Sequence, residues 1–403
     1  MTDALLHPFA SPAKAESAYV NVVRAEGSYL WDDAGKRYID GLASLWYCQI
    51  GHGRTDMRDA IFAQMDALGS YNVFDPFTNP AAAHCAELIL DRSPFDSGRV
   101  FLGSSGSEAI DSVLKLARLT HQLRGDHDRQ IVVRRTHGYH GTNFGGTTAQ
   151  GIAPNREGWG DLVPHFIEVP HDDAELLAAA FAEHGERIAA VLTEPIQGAG
   201  GVLMPRSGYH EQTRRLCDDY GALLIFDEVI CGFGRTGSWF GAQTMGVVPD
   251  LMTFAKGVSS GYLPLSGVII GPQVAEVLEG MDNMLRTGYT YSGHPTCAAA
   301  GIKNIEIITD EGLVSRANHV GKLLQPGLEA LVGDGMADHV RGVGAIWALE
   351  LGRDAMPARE ALREAGIVVR AIGTALAMCP PLVIGDDDIA EMLDAFAAVL
   401  ATH

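Results

Sequence analysis

The chain reads as an α/β protein, with a large doubly wound, mostly parallel-sheet domain joined to a small α+β domain. Three observations predict this. Five short apolar runs each close on a polar or glycine-rich turn, as buried parallel strands do. Helical periodicities alternate with strand patterns between about residues 51 and 285, the order of repeated βαβ units. At 403 residues, the chain exceeds the ceiling of roughly 250–300 residues for one core, so a second domain is expected.

In chain order, residues 19–50 alternate and turn, which predicts a small antiparallel meander with a turn at DDAG. RVFLGSSGSEA is the first apolar run and delivers Ser105, Gly106 and Ser107. A helix opens there, because Ile110, Val113, Leu114 and Ala117 form an i, i+3, i+4, i+7 stripe. QIVVRRTHGYHG delivers Tyr139 and His140, IAAVLTEPIQG delivers Glu194, GALLIFDEV delivers Asp227, and DLMTFAKG delivers Lys256. Residues from about 296 to 330 read as a long helical connection. AIWALEL and GIVVRAI are strands of the small domain. DDDIAEMLDAFAAVL closes it as a helix with an acidic start and Ile389, Leu393, Phe396 and Leu400 on one face. The expected organisation is an N-terminal segment (1–50) packing with the small domain, a large domain (51–295), and a connecting helix with a C-terminal small domain (296–403).

Ligands of open α/β sheets bind at the carboxyl ends of the strands, so the five polar groups can converge on one crevice. A phosphate cradle, an aromatic ring, two carboxylates and one lysine suit pyridoxal 5′-phosphate (PLP). That cofactor attaches covalently to a lysine amine. The apolar approach to Lys256 desolvates the ammonium and frees the neutral amine. An anionic carboxylate beside the pyridine nitrogen favours its proton. Asp227 is the candidate, with Glu228 as the alternative should Asp227 only cap the next helix. Backbone N–H groups at the start of the helix after Ser105 suit the phosphate. No GxGxxG follows the first strand, which argues against a dinucleotide.

These motifs resemble those of the class III aminotransferases, PLP-dependent enzymes of fold type I. The matching stretches are GSSGSEA (103–109), GYHG (138–141), EPIQGAGG (194–201), LIFDEVICGFGRTG (224–237), FAKGVSSGYLPLSG (254–267), YTYSGHPTC (289–297) and VVRAIG…PPLVI (368–384). They run from about Trp31 to the end. Asp227 and Lys256 stand 29 residues apart (256 − 227). The resemblance implies that Tyr139 and Val229 cover the two ring faces and that Glu194 lies near the ring oxygen, Tyr139 or a water. It implies that Lys256 carries the cofactor and then moves protons. It implies that Thr290 reaches the cofactor phosphate of a partner subunit, so the enzyme would be a homodimer with shared active sites, or a tetramer built from it. Arg235 reads as structural, as does His294.

For the substrate, the resemblance makes Arg370 a movable arginine that pairs with a carboxylate, a task suited to a bidentate guanidinium. Trp46 and Phe74 match pocket-lining positions of the amine:pyruvate branch. Ala199 stands where the ornithine- and 4-aminobutyrate-type branches carry a glutamate. The expected reaction is transfer of an amino group from an ω-amino acid or primary amine to pyruvate. The alternatives are another PLP reaction on the same fold, such as an aminomutase or decarboxylase, or a 2-oxoglutarate-dependent aminotransferase.

Composition bounds the partners. The 47% hydrophobic and 20% charged fractions are those of a soluble globular chain. With 50 acidic and 30 basic residues the net charge is −20, which disfavours nucleic acid and anionic membranes. No apolar stretch approaches the roughly 20 residues of a membrane span. The start has an acidic residue at position 3 and does not read as a secretory signal. Cys48, Cys85, Cys217, Cys231, Cys297 and Cys379 lack metal-ligand spacing and read as free thiols in a reducing cytoplasm.

Overall fold

A computed structural model describes residues 4–402; Asp3, part of the reading against a secretory signal, lies outside them. The fold is built on three sheets. The N-terminal one begins as the expected meander: β1 (Val22–Glu26), β2 (Tyr29–Asp32) and β3 (Arg37–Asp40) pair antiparallel, with the β2–β3 turn in DDAG. The large sheet holds β4 (Arg99–Gly103), β5 (Ile131–Arg135), β6 (Phe166–Val169), β7 (Ile188–Thr193), β8 (Leu223–Asp227), β9 (Leu251–Phe254) and β10 (Ser266–Ile270). Its order is β4-β10-β9-β8-β7-β5-β6. The third sheet, order β11-β12-β15-β14, joins β11 (His339–Val343), β12 (Ile346–Glu350), β14 (Arg370–Ile372) and β15 (Ala375–Met378).

The central strands are apolar on both faces because both are covered. Along β8, Leu223 and Ile225 pack with Ile110, Val113, Leu114 and Ala117 of the helix Gly106–Arg124 on one face. Leu224 and Phe226 pack into the larger core on the other. Strands β5 through β9 run parallel. Four of the five predicted runs are such strands. RVFLG departs from the expectation: β4 bonds only to the antiparallel β10, lies at the sheet edge, and buries only its last two residues. Strand β10 separates it from β9, so only their directions, not their hydrogen bonds, are parallel.

Two further expectations change. The helical connection is two helices, Pro295–Asp310 and Leu313–Gly333, broken at Gly312, which adopts φ +61°. GIVVRAI is not one strand. Ile367–Val368 forms β13, which adds parallel to β3 of the N-terminal sheet, and the chain crosses at Val369 into β14 of the third sheet. This two-residue pairing ties the N-terminal meander to the C-terminal region. The helix Asp386–Leu400 buries Ile389, Phe396 and Leu400, with Leu393 partly buried beside them.

Candidate active site

The carboxyl ends of the strands meet in a cleft of about 560 Å³. Its walls include Gly106, Ser107, Tyr139, His140, Glu194, Asp227, Val229 and Lys256. These come from five separate runs of sequence, and the parallel arrangement brings them together.

The helix Gly106–Arg124 supplies the first wall. Ser105 is its N-cap: its hydroxyl accepts from the Glu108 N–H (3.2 Å), and the Glu108 carboxylate accepts from the Ser104 and Ser105 N–H groups (2.7 and 3.3 Å). This capping box leaves the Gly106 and Ser107 N–H groups without an acceptor among the described residues, at the positive end of the helix dipole. Ser105 itself lies outside the cleft wall, because its hydroxyl is committed to the cap.

Three strand ends supply the floor. Asp227 ends β8, almost fully buried. One oxygen accepts from His140 Nδ1 (2.7 Å), the other from Thr253 Oγ1 (3.0 Å) and the Val229 N–H (3.2 Å). Its neighbour Glu228 faces elsewhere: it accepts from the Gly241 and Ala242 N–H groups (2.8 and 2.6 Å) and so caps the helix Gly241–Met245. The choice between these two carboxylates is made by strand alternation. Glu194, just after β7, clamps two loops, accepting from the Tyr139 and Gly198 N–H groups (both 3.0 Å). Burial pushes its carboxyl up to about 7, against the pull of His140 and those two N–H groups.

Lys256 follows β9 with a left-handed backbone, φ +46°. A non-glycine residue there costs roughly 1–2 kcal/mol, so the surroundings must hold it. No hydrogen bond or ion pair engages its ammonium among the described residues. Desolvation lowers its pKa, while Asp227 and Glu194 oppose that shift. Burial raises the Tyr139 phenol, and the Arg370 charge opposes it.

A free lysine amine, two unpaired N–H groups at a helix start, a buried carboxylate and flanking Tyr139 and Val229 fit PLP. The amine suits its carbonyl, the N–H groups its phosphate, and Asp227 its ring nitrogen.

The class-III aminotransferase profile matches residues 10–400. The chain belongs to this family. Its cofactor is therefore PLP. A putrescine–pyruvate aminotransferase of Pseudomonas aeruginosa is 35% identical over 92% of this chain and 88% of its own length. An ω-amino acid–pyruvate aminotransferase of Pseudomonas putida is 33% identical over 94% and 91%. The ω-transaminase of Pseudomonas jessenii, solved with PMP, superposes with a TM-score of 0.95 at 32% identity, covering 98% of this chain and 96% of that one.

The remaining predicted residues of this aminotransferase lie away from the cleft wall of the single chain. Trp46 is buried in a cluster with Leu42, Ile196, Ile230 and Cys231, of which Ile230 lines the cleft. Ala199 packs at the edge of the same cluster. Phe74 is half exposed, and a Cβ on Gly288 would touch its ring. Thr290, two residues further on, is also exposed, so both belong to an outer patch. Arg370 opens β14, exposed and without an ion pair among the described residues, and its charge is felt by Tyr139 and Lys256. Arg235 is fully buried, donating to the Ala345 and Pro380 carbonyls.

Sequence reasoning missed Thr253, the second hydrogen-bond donor to Asp227. A lone hydroxyl in the buried strand LMTF was the available signal. It also missed Arg135, fully buried, which donates to Thr193 Oγ1 (2.6 Å) and the Glu194 carbonyl (3.3 Å).

Proposed function

We propose that this aminotransferase moves an amino group from an ω-amino acid or primary amine to pyruvate, giving alanine, in two half-reactions through one pocket. The observation that carries this reading is Arg370: a guanidinium near the cleft, with no carboxylate partner among the described residues. Ala199 offers no charge to neutralise it, so it stays available for the carboxylate of pyruvate or alanine. The named activities of the relatives support the same donors and acceptor.

PLP, when bound, withdraws electrons and makes the carbon bearing the donor's amine acidic. Lys256 Nζ would take the proton from that carbon and return it on the other side of the exchange. Asp227, oriented by His140 and Thr253, would hold the proton on the ring nitrogen. Gly106 and Ser107 would bind the phosphate, with Ser105 setting the helix start. Tyr139 and Val229 would fix the ring plane, and Glu194 would fix Tyr139.

The same reading makes the protein a homodimer in which Thr290 and Phe74 complete the partner's site. Exposed Phe62, Met65, Tyr71, Phe74, Phe77 and Tyr291 support an apolar interface on this side. It divides the chain at 50 and 295, with the β3–β13 pairing supporting the N-terminal segment as part of the small domain. Six unbridged cysteines support a cytoplasmic location. No helix among the described residues is long and apolar enough to cross a membrane.

The deciding experiment incubates enzyme with putrescine, β-alanine or 1-phenylethylamine, with and without pyruvate or 2-oxoglutarate. Alanine formed in step with amine loss, only when pyruvate is present, supports the proposal. Amine loss without a keto acid would point to a decarboxylase or aminomutase. Glutamate in place of alanine would move the acceptor to 2-oxoglutarate.

A further inference from the structure

Residues 41–50 form a strap with unusual backbone strain. Ala43, Ser44 and Trp46 all adopt left-handed φ, at +48°, +58° and +67°. None is glycine, so each conformation must be imposed from outside. One buried residue holds the start of the strap. Asp40, at the end of β3 and fully buried, accepts from the Leu42 N–H (3.1 Å), the Ser44 N–H (2.7 Å) and His52 Nε2 (2.8 Å). The other His52 nitrogen receives the Cys48 thiol at 3.5 Å. Burial pushes that thiol's pKa up, so the sulfur keeps its proton and donates. The chain Cys48–His52–Asp40 thus closes the strap on itself from both ends.

The strap's far side lies against the segment that follows Lys256. A Cβ on Gly257 would collide with the Gln49 amide, and one on Gly261 with the Tyr47 ring. The Ile50 N–H donates to Ser260 Oγ (3.3 Å). From the opposite side, Asn304 donates to the Gly257 and Val258 carbonyls (2.8 and 3.0 Å) and accepts from Ser260 Oγ (2.6 Å). Lys256, itself left-handed, is therefore fixed by a turn gripped between Asn304 and the strap.

We infer that the Asp40–His52 pair is a positioning device for the active-site lysine: it locks the strained strap, and the strap holds the Lys256 turn from behind. Neither residue lines the cleft. The inference rests on the reading that Lys256 is the reacting amine. A displacement on the order of 1 Å at a reacting group costs about 100-fold in rate, so a remote lock of this kind is expected to act on kcat.

The test uses full-length protein with three substitutions: His52→Leu, His52→Gln and Asp40→Asn. Amide hydrogen exchange of residues 41–50 is read in the cofactor-free protein, and kcat, KM and thermal midpoint in the PLP-loaded enzyme. His52→Leu removes the donor to Asp40. It should raise exchange in the strap about tenfold or more and lower kcat about 10- to 100-fold, with KM within about threefold. His52→Gln restores a donor and should recover most of both effects. Asp40→Asn should resemble His52→Leu, since one oxygen of the three-donor acceptor is lost. The inference is overturned if exchange rises with kcat unchanged. It is also overturned if kcat falls only as far as the folded fraction does, or if His52→Gln fares no better than His52→Leu. Lys256→Ala is run alongside. Turnover surviving that change would remove the reading of Lys256, whereas the exchange data judge the lock independently.

Discussion

Asp227 and Arg370 make sharply different demands on their surroundings. Asp227 is nearly buried and bound by His140, Thr253 and the Val229 N–H, so its position survives removal of its charge better than its electrostatic effect does. Asp227→Asn is expected to retain PLP but slow the amine half-reaction, on the order of 100-fold or more, as for loss of a preorganised charge. Stopped-flow absorbance with a single amine checks this, and an unchanged rate constant would exclude Asp227 as the ring-nitrogen partner. The Arg370 side chain has no hydrogen bond or ion pair among the described residues, so its removal costs little in the resting protein. Loss of a bidentate, charge-assisted contact costs about 2–4 kcal/mol, or roughly 30- to 1000-fold in kcat/KM. Arg370→Ala should show that loss for alanine. With 1-phenylethylamine, if that amine is turned over, kcat/KM should stay within about threefold. Equal losses for both donors would make Arg370 a residue of the fold or of cofactor binding.

The helix Gly106–Arg124 joins stability to ligand binding through one cap. Its capping box sets where the helix begins, and that start presents the Gly106 and Ser107 N–H groups to the cleft. Ser105→Ala leaves the Glu108 N–H without its acceptor. A lost N-cap costs about 1 kcal/mol. Part of that cost should appear as weaker cofactor binding, because the frayed first turn is the proposed phosphate site. Measured by PLP titration of stripped enzyme, the dissociation constant is expected to rise about two- to threefold, while Ser105→Asp, another capping residue, restores stability but repels the phosphate. A Ser105→Ala protein with unchanged PLP affinity would separate the cap from the cofactor. At the same scale, the β13–β14 crossing shows why Arg370 sits where it does. The chain leaves one sheet at Val368 and enters another at Arg370, so the arginine stands at the first position of its strand, beside the joint between the two sheets.

At the scale of the whole molecule, the cleft of one chain lacks Thr290 and Phe74, which are exposed elsewhere. A symmetric dimer explains this economically, since each patch can face the partner's cleft. Subunit mixing tests it. Lys256→Ala and Thr290→Asp proteins should each be nearly inactive alone. If Thr290 serves the partner's site, a mixed dimer has one site with an intact Lys256 and an intact Thr290. Activity should then reappear when the two are unfolded and refolded together, approaching about a quarter of wild type for random pairing of dimers. No recovery from well-folded mixed dimers would place Thr290 in its own chain's site or outside catalysis.

Local patterns alone determined much of this protein. Four of the apolar runs were legible because a doubly covered strand is largely apolar, so the polar turn that closes it marks the carboxyl end where ligands bind. The helix after Ser105 was legible because its apolar stripe is short-range, whereas the Ser105–Glu108 cap that fixes its start came from the structure. Tertiary structure alone decided the rest. Strand β10 inserts beside β4 and makes it an edge, which no run of sequence can announce. Asp227 faces the cleft and Glu228 faces a helix start because of the direction in which β8 alternates. GIVVRAI breaks between two sheets because β3 and β15 each claim one end of it. The strap 41–50 carries no sequence signal of its strain: Ala43, Ser44 and Trp46 are ordinary residues held left-handed beside an aspartate and a histidine twelve positions apart (52 − 40). Periodicity reports which face of an element is buried. It does not report which distant group an element meets, and the site is made of such meetings.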